Sequence, residues 1–216
     1  MIRINFVNIV LSVLMAVYSE NVVAEANRDK ATDEPELIQL YTQDELNALI
    51  KENRHLERVK IDECQFTRDI KDRALILNYP AYLYLWADMN FTDTCIKGNV
   101  ADGVTALKLA ADKGMSVAMY KLGGLYLTGT YVQTDFNSAY RYIYNAASMG
   151  NDDAKLTLVN LLVNHEGNEA DYQQAYHWLF KTVYSDPQKH ELAKNLLSKL
   201  KDKMPDSLVK NAERVE

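Results

Sequence analysis

The chain has 216 residues, 48% of them hydrophobic, with only 8 Gly and 4 Pro, so it contains enough apolar side chain for a folded and mainly helical protein. A net charge of −6 and a pI near 5.3 argue against a nucleic-acid partner, which would require a basic face to meet phosphates. The first 24 residues read as an export signal. Arg3 supplies the positive start, "NFVNIVLSVLMAVY" is apolar but too short to span a bilayer, and Val22 and Ala24 stand at the −3 and −1 positions of a cleavage site. Residues 25–39 are polar and acidic without a helical stripe and read as a flexible leader.

Residues 40–81 are expected to form N-terminal capping helices. "YTQDELNALIKENRHL" opens with Thr42 and has Glu45 three residues on, the signature of a capping box, with Leu46, Leu49 and Ile50 facing inward. "DECQFTRDIKDRALIL" is expected as a second helix, buried through Phe66, Ile70, Ala74 and Leu77 and stopped by Pro80.

From residue 82 the sequence repeats itself with a period of 36. Gly114 and Gly150 form one column, Gly103, Ala139 and Ala175 a second, and Leu107, Ile143 and Leu179 a third. Three units follow, covering roughly 82–117, 118–153 and 154–189. Each reads as a helical hairpin. In the middle unit Ala118, Leu122, Leu125 and Tyr126 form the stripe of a first helix, Gly129 closes it, and Asp135 caps a second helix with Ala139, Ile143, Ala146 and Ala147 on a narrow face. One hairpin cannot bury both faces, so the units must stack as a solenoid. The columns resemble the Sel1-like repeat, a relative of the tetratricopeptide repeat. The middle unit carries its pattern in full through Ala118, Leu122, Gly123, Tyr126, Gly129, Val132, Asp135, Ala139, Ala146, Ala147 and Gly150; the outer units carry it in part. The expected fold is therefore all-α, a Sel1-like hairpin solenoid between helical caps. Residues 190–216 form the C-terminal cap, with Leu192, Leu196, Leu197 and Leu200 on one face and a last helix after Pro205.

Two cysteines, Cys64 and Cys95, remain after export. They are either a disulfide, as suits an oxidising compartment, or two buried free thiols. Chemistry is otherwise sparse. His55, His165, His177 and His190 lie in different elements, none at metal-ligand spacing, and each is expected at the surface or in a capping role. "GGLYLTG" lacks the Lys-Ser/Thr of a phosphate loop, and no short acidic run has a calcium-loop pattern. No catalytic residue, cofactor or metal site is expected, and no small-molecule substrate. By analogy with tetratricopeptide packing, the inward positions of the first helices are Tyr84, Asp88 and Phe91, then Tyr120, Gly124 and Leu127, then Leu156, Asn160 and Asn164. Aromatic anchors among polar neighbours suit a peptide or helix partner; the alternative is that these tyrosines simply fill space between hairpins.

Stretches outside the repeat pattern narrow the resemblance. "LYTQDELNALIKENRHLERVKIDECQF", "YPAYLYLWADM", "DYQQAYHWLF" and "KDKMPDSLVKNAERVE" are similar to the MotX family of sodium-driven flagellar motors. That resemblance implies a periplasmic scaffold associated with the flagellar basal body. It would join MotY in the T ring and help hold the stator through its B subunit, PomB. It also implies a structural disulfide between Cys64 and Cys95, and a sodium coupling ion. The competing reading is another exported Sel1-like adaptor.

Overall fold

The computed structural model of the protein describes residues 41–214. The expected export signal and leader lie outside the described residues. Among those described there are eleven α-helices and no strand. In chain order they are α1 Gln43–Lys51, α2 His55–Ile61, α3 Thr67–Leu75, α4 Pro80–Thr92, α5 Val100–Asp112, α6 Ser116–Thr128, α7 Phe136–Ser148, α8 Asp152–Val163, α9 Tyr172–Phe180, α10 Pro187–Lys201 and α11 Asp206–Glu213. A single 3-10 turn, Glu169–Asp171, leads into α9.

The period read from the sequence is written into the helix starts. First helices begin at residues 80, 116 and 152 and second helices at 100, 136 and 172, all 36 apart. Within each pair the two helices pack together, and each second helix also packs on the next first helix. The starts of α10 at 187 and α11 at 206 nearly continue both series. These two helices lean on α8 and α9, so the C-terminal cap occupies the place of one more, degenerate unit.

Local chemistry explains the boundaries. The side chains of Asn99, Asp135, Asn151 and Asp186 each accept a backbone N–H of the first turn that follows them, satisfying donors that a helix start leaves open. Pro80 and Pro187 sit in the first turn, where a missing N–H costs nothing. First helices end in a left-handed residue at a repeating position, Asp93, Gly129 and His165, with φ of 53°, 72° and 63°. Only the middle unit has the glycine that makes this conformation easy.

The caps depart from the expected boundaries. The capping box is present, with the Thr42 hydroxyl accepting from Glu45 N and the Glu45 carboxylate accepting from Thr42 N. However, residues 43–75 form three helices where two were expected. Asn53, with φ of 56°, breaks the first run after Lys51 and lets α2 form as a separate short helix. Cys64 is therefore not in a helix but in the turn between α2 and α3, with φ of 60°. Ile70 and Ala74 are buried as expected and Phe66 is partly so, whereas Leu77 lies beyond the end of α3 and is exposed. In α10, Leu196 and Leu200 are buried and Leu197 is partly buried, but Leu192 points to solvent.

Cys64 and Cys95 form a disulfide across a sequence separation of 31. It ties the turn after α2 to the turn between α4 and α5. Replacing either cysteine by Ser is expected to lower unfolding stability by about 3–4 kcal/mol, the chain-entropy value for a loop of this size. Urea unfolding of the two single variants and the double variant checks this. A double variant much less stable than either single one would show that the cysteines contribute beyond their bond.

Candidate functional site

The inward positions of the first helices divide into two regions. Around α4 they are covered. Tyr84 and Asp88 are 7% and 4% exposed, because the short helix α2 lies over them. Its first residue, His55, is 1% exposed and places Nε2 2.8 Å from Asp88 Oδ2, with its ring edge-on to Tyr84 at 5.5 Å. From the next first helix, α6, the Lys121 ammonium donates to Asp88 Oδ1 and lies over the Tyr84 and Phe91 rings at 5.1 and 5.8 Å. Phe91 is in turn stacked on Tyr131 at 4.8 Å.

Asp88 is thus the centre of a three-element junction. A carboxylate withdrawn from water needs a cation and hydrogen-bond donors. Lys121 supplies the cation from one unit on, and His55 supplies an N–H from the cap. His55 Nδ1 is buried without a hydrogen-bond partner among the described residues, so the ring makes its polar contact through Nε2. The Tyr84 hydroxyl is held protonated well above the ordinary phenol range, first by burial and then by the Asp88 charge.

Two expectations are corrected here. Tyr84 and Asp88 are not open to a partner, because the N-terminal cap covers them. Nor is His55 a surface histidine, since it is the buried link between that cap and the first unit. Sequence inspection missed His55 and Lys121 because each lies 33 residues from Asp88, a separation that belongs to no column of the 36-residue pattern. Of the other histidines, His165 is exposed and contacts Lys203, His177 Nδ1 donates to the Ala212 carbonyl at 2.7 Å, and His190 is exposed.

Around α6 and α8 the same positions, Leu156 apart, lie open or half-open. Tyr120 and Leu127 are partly buried against the second core cluster, and the Tyr120 hydroxyl is 3.2 Å from Thr157 Oγ1 of α8. Leu156 is buried at 6% and belongs to the core. Asn160 and Asn164 are exposed. Beside Tyr120, Lys189 donates to Asp153 at 2.5 Å and is held above the usual ammonium range, chiefly by that bond. Among the described residues no group of three or more His, Cys, Asp or Glu is placed to hold a metal ion, and no helix is long and apolar enough to cross a membrane.

The sequence is 38% identical over 187 residues to the sodium-type polar flagellar protein MotX of Vibrio parahaemolyticus, covering 87% of this chain and 89% of that protein. The chain belongs to the MotX family. No family model matches the sequence. Among solved structures, a Sel1 repeat protein from Oxalobacter formigenes is similar at 19% identity and a TM-score of 0.46, covering 68% of this chain and 96% of that one. The protective antigen c5321 of uropathogenic Escherichia coli, which displays an SLR fold, is similar at 20% identity and a TM-score of 0.48, covering 78% and 39%.

The junction in this MotX-family chain yields an asymmetric prediction. Lys121→Ala removes the cation and leaves the Asp88 carboxylate buried, so it is expected to cost about 3 kcal/mol. Asp88→Asn removes the buried charge and keeps one acceptor oxygen; His55 can take the other tautomer and accept from the new amide NH2, and the partly exposed Lys121 can turn to water, so about 1 kcal/mol is expected. Urea midpoints of the two variants decide it. Equal losses would show that charge burial is not what Lys121 relieves.

Proposed function

We propose that this chain is a non-enzymatic periplasmic scaffold of the sodium-driven polar flagellar motor. It joins MotY in the T ring at the basal body and helps hold the stator through PomB. The observation that carries this reading is the 38% identity to a sodium-type polar flagellar MotX, running through nearly the whole of both chains. Two structural features support it. A disulfide that fastens the cap to the first unit suits an oxidising compartment outside the inner membrane. Stacked hairpins leave the first-helix positions Tyr120, Leu127, Asn160 and Asn164 partly or wholly accessible, as a protein-docking surface requires. Phe91, half-covered by Tyr131 and Lys121, marks the border of that surface. On this reading the protein conducts no ion. It is a rigid connector between a fixed ring and the part of the motor that does.

Deleting the gene and scoring filaments separately from swimming tests this. The expected strain builds normal filaments, does not swim in soft agar, and recovers when the full chain is supplied. Intact swimming in the deletion strain would overturn the motor role and favour another exported Sel1-like adaptor. Absence of filaments would move the protein from torque generation to assembly.

A further inference from the structure

Three glycines lie inside the repeat helices, and packing explains two of them. A Cβ on Gly103 would come within 2.7 Å of the Phe91 ring, and one on Gly123 within 2.5 Å of Ile143 Cγ1. A Cβ on Gly124 would meet nothing within 4 Å. Gly124 sits mid-way along α6, where glycine weakens a helix relative to alanine. It also falls outside the repeat pattern, which within α6 asks for glycine at position 123 only. The fold therefore has no use for this missing side chain, and the space it leaves opens outward.

What flanks that space has a definite chemistry. The Tyr120–Thr157 contact sets α6 beside α8. Counted along each helix from that contact, Gly124 and Leu127 lie one and two turns on along α6, and Asn160 and the C-cap residue Asn164 lie about one and two turns on along α8. Both asparagines are exposed, and their amides touch each other only at 3.5 Å, the outer limit of a hydrogen bond. A primary amide carries both a donor and an acceptor, the complement of a peptide unit. A helical partner has already used its peptide groups internally, whereas an extended one presents them. Gly124 supplies the room that a main chain needs for close approach.

Charge gives the occupant a direction. At the head of the α8 row Lys189 is paired with Asp153. Just past Asn164, Lys203 Nζ lies 2.7 Å from His165 Nε2 and forms no ion pair among the described residues. An acidic group on the occupant is attracted to that end.

We propose that this trough holds an extended segment of a protein partner, its main chain bonded by the Asn160 and Asn164 amides as it passes over Gly124. An apolar side chain of the segment rests on Leu127 and an acidic one reaches Lys203. The proposal rests on the reading of this surface as the docking face. It adds the conformation and charge of what docks.

Selecting phage-displayed random peptides on the immobilised full chain, then measuring the resynthesised winners by fluorescence anisotropy, tests it. The winners are expected to share an acidic residue and to lose binding when their main-chain amides are N-methylated. Gly124→Gln puts a side chain into the trough from a Cβ that meets nothing within 4 Å and is expected to weaken binding at least tenfold, and Asn160→Ala, Asn164→Ala and Lys203→Glu by about tenfold each. Gly124→Ala is expected to raise the thermal midpoint while keeping binding within about threefold of the parent chain. Circular dichroism verifies that every variant is folded. Selection of no binder, or binding that survives Gly124→Gln or N-methylation, overturns the proposal. Swimming of the Gly124→Gln strain is scored separately. Lost peptide binding with full swimming supports the trough as a peptide site and detaches it from the motor, whereas a deletion strain that swims sinks the motor role alone.

Discussion

In the first two units the paired helices lie close against each other where one of them gives up a side chain. In the first pair the concession is Gly103 on the second helix, pressed against the Phe91 ring and the Ala87 carbonyl; in the next pair it is Gly123 on the first helix, against Ile143 and the Ala139 carbonyl. The contact is the same and the residue that yields has changed helices. Ala139 and Ala175, which replace Gly103 in the column, are fully or almost fully buried. Close approach at this point fixes the angle at which each pair closes, and hence the surface offered to the next pair. The register of 36 follows from that repeated contact and survives even where the motif decays. The third unit lacks the Leu-Gly of the pattern, yet its helices still start in phase.

A stack of this kind has ends, and the ends need different treatment from the middle. At the N-terminal end the solution is to add material. The first helix of the first unit, α4, is buried almost throughout, including the polar Asp88 and Asn90. Such a helix cannot face water, so α1, α2 and α3 cover it. Apolar packing alone would let the cover slide. Three specific ties prevent that: the disulfide, the His55–Asp88 bond, and the Tyr82 hydroxyl donating to the Tyr41 carbonyl at 2.6 Å. All three join residues at least 31 apart in sequence. They are costly to form while the chain is open and effective once it is closed.

What could be read from the sequence is what repeats or what acts locally. The capping box at Thr42 and Glu45, the cap at Asp135, and the small-residue columns each depend on residues within one turn or on a 36-residue echo. The covering of Tyr84 and Asp88 depends on neither. In the pattern, Asp88 stands in the same column as Gly124 and Asn160, and by position alone all three share one surface. The structure separates them because α2 is an insertion with no counterpart in the later units. Asn53 made that insertion hard to foresee. Its left-handed conformation ends α1, and asparagine adopts it without the signal that a glycine would give. The left-handed Asp93 and His165 escape notice for the same reason, although the equivalent Gly129 is plain.

The cover also divides the labour along the first-helix row. At α4 the inner positions are spent on holding the cap, with a charge, two rings and a lysine turned toward each other. From α6 onward no cap lies over them, and the same positions change character to a glycine, an exposed pair of amides and a half-buried leucine. A buried, fully partnered carboxylate is a poor handle for another protein, since exposing it would undo the junction that seals the stack. Exposed asparagines and an empty niche carry no such penalty, because nothing inside the chain depends on them. The residues that the fold does not need thus lie one and two units along from the buried Asp88 that it needs most. A partner could bind there, or leave, without loosening the end of the stack.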